Sequence, residues 1–163
     1  MARLLRCSHL LLASMLAVTA PGSAFAAEGA ASGVEVLQPV SGGITPNGSW
    51  SVGARAGDFV FIGGMRGVDP ATGRLVEGDA ERIRQMFRNM LAVAKSAGAK
   101  PTDAVRLTIF VTDVARLRPI VNEVQKEIWG DGPYPPRTVL GASSLDQNDI
   151  AEIDGTFYAP RRP

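Results

Sequence analysis

Apolar residues recur along the chain at two spacings, which predict helices and strands. Behind Asp79, apolar positions repeat every three or four residues, which predicts an amphipathic helix with Asp79 as its N-cap and Gly98 near its C-cap. The residues of this face are Ile83, Met86, Phe87, Met90, Leu91 and Ala94. A second helix, capped by Asp113, is predicted from the same spacing of Leu117, Ile120, Val121 and Val124.

Alternation with a period of two predicts the strands. One strand spans Ala104 to Val111, and Val105, Leu107, Ile109 and Val111 form its apolar face. The last strand places Ala151, Ile153 and Phe157 on one face and Glu152, Asp154, Thr156 and Tyr158 on the other. Further strands are predicted at 34–37, 50–55 and 59–62, the last ended by Gly63-Gly64, and at Val139-Leu140 after Arg137.

This order of strands, helix, strand, helix, strand and strand predicts an α+β fold. Because the helices connect strands, the right-handed crossover rule places both helices on one face of a mixed sheet of five or six strands. The other face, which bears Phe110 and Tyr158, is expected to find a partner. A symmetric oligomer follows, with a site between subunits.

The segment from Met1 to Ala26 has the pattern of a secretory signal peptide. Arg3 and Arg6 precede the apolar run from Leu10 to Val18, and Ala24-Phe25-Ala26 is a small-x-small cleavage signal. The run is shorter than the roughly 20 residues that span a bilayer, which argues against an uncleaved anchor. We therefore expect a single domain at 27–163 in the periplasm or outside the cell, with no membrane attachment after cleavage.

The expected cleavage limits the chemistry. The only cysteine, Cys7, and the only histidine, His9, lie before the cleavage site. The remaining segment, 27–163, then excludes a catalytic triad with histidine, a cysteine nucleophile, the usual zinc ligands and any disulfide. Its formal charge is 15 − 16 = −1, which argues against a nucleic-acid partner. No dinucleotide-binding or P-loop motif is present.

The chemistry that remains centres on Tyr134-Pro135-Pro136-Arg137-Thr138 and on Glu152. The guanidinium of Arg137 matches a carboxylate with two hydrogen bonds, although a surface ion pair is the commoner role of an arginine. Glu152 can hold and polarise a water, or can be the structural partner of Arg137 or Arg106. Arg137 and Glu152 are predicted to converge on a small anion.

Three more candidates have alternative roles. Asn122 either faces the sheet edge or is a solvated helix residue. Trp50 forms a pocket wall or packs in the core, and Gly63-Gly64 allows close backbone approach to a ligand or forms a plain turn.

The motifs together resemble the Rid (YjgF) family of enamine/imine deaminases. The resemblance runs from about Trp50 to Tyr158. Its segments are 57–64, 69–76, 89–91, 97–99, 108–113, 121–124, 136–138 and 152–154. Each motif is weak, but their order and spacing are specific.

The resemblance implies a chorismate-mutase-like subunit, a homotrimer with clefts between subunits, and hydrolysis of reactive enamines and imines to 2-keto acids and ammonia without cofactor or metal. It places the carboxylate-binding arginine at Arg137 and the water-positioning glutamate at Glu152. It also places the cleft asparagine at Asn122, the strand-end glycine at Gly64 and the aromatic wall at Trp50.

The chain departs from the family pattern around the cleft. Trp50 replaces the usual Tyr, Gly63 a Ser or Thr, Val139 a frequent Cys, and Asp146 the Pro of a Leu-Pro pair. These departures predict a drier, less hydroxylated pocket and bear on the substrate range. Two alternatives to the deaminase remain: a small-carboxylate binding protein without turnover, and a holdase-like interaction module.

Overall fold

The computed structural model describes residues 33–161, which form a six-stranded mixed sheet and two helices. The sheet order is β1-β2-β3-β8-β6-β7, in which only β6 and β7 pair in parallel, and β4 and β5 form a separate hairpin. The strands are β1 Val34–Val36, β2 Gly53–Ala56, β3 Phe59–Arg66, β4 Val68–Asp69, β5 Arg74–Leu75, β6 Ala104–Val111, β7 Arg137–Gly141 and β8 Ala151–Tyr158. The helices are α1 Asp79–Ser96 and α2 Val114–Trp129, with short 3₁₀ turns at Pro101–Asp103 and Asp146–Asn148. This architecture confirms the predicted α+β fold.

The core lies between the helices and one face of the sheet. The apolar face of α1 is buried as predicted, except that Leu91 is only partly covered. Leu107, Ile109 and Ile153 supply the central part of the sheet side and are fully buried. Burial of aliphatic side chains of this size stabilises the fold by about 1.5–3 kcal/mol each.

The start of α1 differs from the prediction. Gly78 is the N-cap, and its φ of 81° lies in the left-handed region that favours glycine. Asp79 is instead the first helical residue, where its charge complements the helix dipole and its carboxylate accepts from Arg116 of α2. The predicted cap of α2 is confirmed, because Asp113 Oδ1 accepts from the Arg116 amide at 3.0 Å.

Two irregularities were not predicted from the alternation. Between Ala104 and Arg106 the register of β6 on β8 shifts, so Val105 is exposed instead of joining the apolar face. Gly63-Gly64 does not end β3, because the strand continues to Arg66 through a bulge between Ile62 and Met65.

The sheet face opposite the helices has an exposed apolar surface, which we call the open face. Its exposed large apolar residues are Val34, Val36, Phe59, Phe61, Leu140 and Tyr158. Phe59 and Tyr158 meet edge to face, with ring centroids 5.6 Å apart. An uncovered face of this kind was expected from the sequence, and the oligomer that would cover it stays a prediction.

The predicted signal peptide, with Cys7 and His9, lies outside the described residues. Within 33–161, neither helix combines the length and apolarity required to cross a membrane.

Candidate functional site

The five predicted site residues line two separate pockets in the described part of the chain. Trp50, Gly64 and Glu152 line one pocket of about 480 Å³, the glutamate pocket. Asn122 and Arg137 line another of about 360 Å³, the arginine pocket. One chain therefore does not bring Arg137 and Glu152 together.

The separation follows from strand order and from alternation. Arg137 pairs with Leu107 of β6, whereas Glu152 pairs with Phe110 of the same strand. Since β6 lies between β7 and β8, the two residues are about 10 Å apart across the sheet and about 10 Å apart along it. Leu107 faces the helices, so Arg137 also points to the helix side. Glu152 pairs with Phe110, whose side chain points away from the helices, so Glu152 lies on the open face.

The carboxyl of Glu152 fits against the backbone of Gly64. A Cβ at position 64 would lie only 1.9 Å from Glu152 Oε1 and 2.8 Å from its Cδ. The bulge in β3 places two residues, Gly63 and Gly64, opposite Asp154 of β8, and brings the backbone to the carboxyl. Gly64 is thus required for the observed position of Glu152.

The surroundings of Glu152 raise the pKa of its carboxyl above the ordinary value. Burial is the main cause, and the charge of Asp154 on the same strand adds to it. Asp149 and Asp146 contribute in the same direction, while Arg66 opposes them. Glu152 forms no ion pair among residues 33–161, so the sequence-based alternative of a structural partner in Arg137 or Arg106 is not observed. A half-buried carboxyl with a raised pKa is suited to accept and return a proton.

Arg66 and Asp146 were not singled out as site residues from the sequence, yet both line the glutamate pocket. Arg66 Nη1 donates to the Asp146 carbonyl at 2.8 Å, and Nη2 donates to Asp146 Oδ2 at 3.0 Å. Arg66 is also the cross-strand partner of Glu152. The departure at Asp146 from the Leu-Pro pattern was the signal in the sequence, since it places a carboxylate at the rim of the pocket.

Trp50 precedes β2 and contributes an aromatic wall. The residue is 39% exposed, and its indole Nε1 donates to Asn47 Oδ1 at 3.3 Å. The alternative of Trp50 as a core residue is therefore wrong.

Arg137 begins β7, directly after the buried Pro135 and the exposed Pro136. Its Nη1 donates to Gln125 Oε1 at 2.5 Å, and its Nη2 donates to Asn122 Oδ1. Asn122 is exposed, and its hydrogen bond with Arg137 also connects it to the edge strand β7. Burial lowers the pKa of Arg137, and the nearby Arg118 lowers it further. Arg137 forms no ion pair within the described range, so it is a cation with neutral partners.

Within residues 33–161 there is no group of three Asp, Glu, His or Cys side chains arranged to hold a metal ion.

The protein is a small α+β protein with a mixed sheet and two helices on one face. An arginine begins its edge strand β7, and a glutamate lies on the open face. The model of the Endoribonuclease L-PSP family matches residues 42–158. The chain belongs to this family, the Rid (YjgF) family.

Solved structures and a curated relative agree with this assignment. A solved structure described as a probable translation initiation inhibitor from Rhodopseudomonas palustris is 68% identical, with a TM-score of 0.77 over 78% of this chain and 99% of that one. RidA from a Psychrobacter species is 28% identical, with a TM-score of 0.71 over 76% and 98% of the two chains. A 2-iminobutanoate/2-iminopropanoate deaminase of Dermatophagoides farinae is 33% identical over 110 residues, which are 67% of this chain and 84% of that protein.

Proposed function

We propose that the protein hydrolyses reactive enamines and imines to 2-keto acids and ammonia. The observation on which this depends is the carboxyl of Glu152, half-buried beside Gly64 in a pocket large enough for a small substrate, with a raised pKa. At the level of the family, relatives named as imine deaminases support this activity.

In the proposed reaction, Glu152 accepts a proton from a water as the water oxygen bonds to the imine carbon. The C=N bonding pair passes to the nitrogen, which takes a proton from solvent to give the carbinolamine. Glu152 returns its proton to the same nitrogen, the C–N bond breaks and ammonia leaves, while the hydroxyl passes its proton to Glu152 and becomes the carbonyl. Glu152 releases that proton to solvent, and an enamine enters the sequence after taking a proton on carbon to become the imine. Arg137 binds the substrate carboxylate and holds the imine carbon in line with the water. Positioning and proton transfer are sufficient for a reaction whose barrier is already low, so no metal or cofactor is invoked.

The proposal requires two copies of the chain for one site. Arg137 and Glu152 point to opposite sides of the sheet, and β7 is an edge strand. In the proposed homotrimer, the open face of one copy is covered by its neighbour, whose Arg137 reaches the glutamate pocket. The exposed Phe59, Phe61 and Tyr158 supply apolar surface for this contact.

We also propose that the protein acts in the periplasm or outside the cell, because the segment from Met1 to Ala26 fits a signal peptide. Its substrates there would be imines that arise from amino acids, whether released from cells or formed by exported oxidative enzymes.

The test generates imines in situ with an amino-acid oxidase and follows their decay together with ammonia release. Wild-type protein is expected to accelerate both, and Arg137→Ala is expected to raise KM steeply by loss of the charge-assisted pair. Arg88→Ala removes an exposed arginine of α1 and serves as the matched control. No acceleration by wild type would show that the deaminase proposal is wrong, and an equal KM for wild type and Arg137→Ala would show that Arg137 does not bind the substrate carboxylate.

The same samples distinguish the alternatives. Binding of a 2-keto acid without rate enhancement would indicate a binding protein. Protection of unfolded clients that does not depend on Arg137 or Glu152 would indicate a holdase. Cleavage of RNA would indicate the activity in the family model's description, against which the lack of histidine in 33–161 argues.

A further inference from the structure

Gln125 is a buried hydrogen-bond acceptor for the guanidinium of Arg137. The residue lies on α2, three positions after Asn122, and only 4% of it is exposed. Because residues three apart share a helix face, the two amide side chains act on Arg137 together. Gln125 Oε1 accepts from Arg137 Nη1 at 2.5 Å, and Asn122 Oδ1 accepts from Nη2.

Both acceptors are neutral, so they orient the cation without cancelling its charge. Arg84 shows the ordinary arrangement in the same protein, because Glu81 and Glu127 both pair with it. Arg137 has no such carboxylate within residues 33–161.

The charged groups around the arginine pocket do not replace a carboxylate partner. Lys126 and Glu123 line the pocket, and both are exposed. Arg118, also exposed, lies near enough to Arg137 to repel it. Arg137 thus has a half-buried charge, a repelling neighbour and two amide partners, which together favour capture of an anion from outside the chain.

We infer that Gln125 is a positioning residue that holds Arg137 in place for a substrate carboxylate and, being neutral, leaves the charge of Arg137 available to it. The class of ligand, a 2-keto acid or the corresponding imine, rests on the proposed function. The role of Gln125 itself rests on the hydrogen bond, the burial and the lack of a competing carboxylate.

Two substitutions separate this role from a purely structural one. Gln125→Glu keeps size and hydrogen bond but adds a charge that pairs with Arg137. Gln125→Met keeps approximate size and removes the acceptor. Calorimetry measures the Kd of 2-oxobutanoate for the full chain, thermal unfolding reports stability, and imine hydrolysis gives KM and kcat separately.

We expect Gln125→Glu to weaken 2-oxobutanoate binding about 10- to 100-fold, since the new ion pair must be broken for the ligand to bind. Its melting temperature should equal or exceed that of Gln125→Met. Gln125→Met should weaken binding only about three- to tenfold, because one of two orienting bonds remains. In turnover, Gln125→Glu should raise KM far more than it lowers kcat.

The opposite order would overturn the inference. If Gln125 is merely structural, Gln125→Glu binds like wild type and Gln125→Met is the weaker binder, in proportion to its lost stability. Undetectable binding by wild type would also overturn it. Wild type that binds 2-oxobutanoate but does not hydrolyse imines would refute the deaminase proposal and leave the role of Gln125 intact.

Discussion

The contact between Gly64 and Glu152 gives the sharpest test of the glutamate pocket. A Cβ added at Gly64 would lie 1.9 Å from Glu152 Oε1, whereas ordinary van der Waals contact begins at 3.4 Å. In Gly64→Ala the carboxyl oxygen must therefore move by the difference between these two distances, which is well over an ångström. Gly64 does not have a positive φ, so the backbone itself accepts alanine.

The two consequences of this movement differ in size. Stability should change little, because the displaced group is the end of a flexible side chain and an off-rotamer torsion costs about 0.5–1.5 kcal/mol. Catalysis should suffer more, since a misplacement of about 1 Å can reduce a rate about 100-fold, equivalent to ~2.7 kcal/mol of transition-state stabilisation. We therefore expect a loss of about 100-fold in kcat/KM at a melting temperature close to that of wild type.

The assay is imine hydrolysis with thermal unfolding on the same samples. Gly63→Ala is the matched control, because its Cβ would meet Ser51 O at 3.1 Å and no atom of Glu152 within 4 Å. A loss of at most a few-fold is expected there. Activity of Gly64→Ala within a few-fold of wild type, or an equal loss in both variants, would refute the assigned role of the Glu152 carboxyl.

Further predictions concern charge and assembly. Glu152→Gln should lower kcat about 100- to 10,000-fold if the carboxyl transfers the proton. Because the pKa of Glu152 is raised in the folded protein, wild-type stability falls as pH rises from the ordinary glutamate pKa through the folded-state pKa. Glu152→Gln should therefore be more stable than wild type above that pH range, as measured by Tm from acidic to neutral pH. Arg66→Met should move the acidic limb of the kcat/KM profile to higher pH, and Asp146→Asn should move it to lower pH. Shifts of the same sign would contradict the electrostatic explanation of the raised pKa of Glu152. Phe61→Glu on the open face should give a monomer by light scattering, and an unchanged oligomer would exclude that face as the interface.

Much of the fold could be predicted from local patterns in the sequence. The three- and four-residue spacing behind Asp79 and Asp113 predicted both helices. The period-two alternation at 104–111 and 151–158 predicted β6 and β8 and, apart from the exposed Val105, their buried faces. These patterns suffice because each depends on neighbours within one element. The bulges escaped prediction, since an extra residue in a strand depends on its pairing with the neighbouring strand, and the positive φ of Gly78 was not anticipated either.

The candidate site residues were also named from the sequence, but their relation in space was not. Arg137 and Glu152 are on consecutive strands of the chain, and the sequence alone suggested that they converge. Within one chain they do not, because β6 inserts between β7 and β8 and the alternation turns the two side chains to opposite faces, and their convergence between copies stays a prediction. The hydrogen bond from Arg137 to the neutral Gln125 and the close approach of Gly64 to Glu152 likewise became evident only in the tertiary structure. Side-chain type is set by sequence, whereas the partner across a sheet or a helix face is set by packing between distant segments.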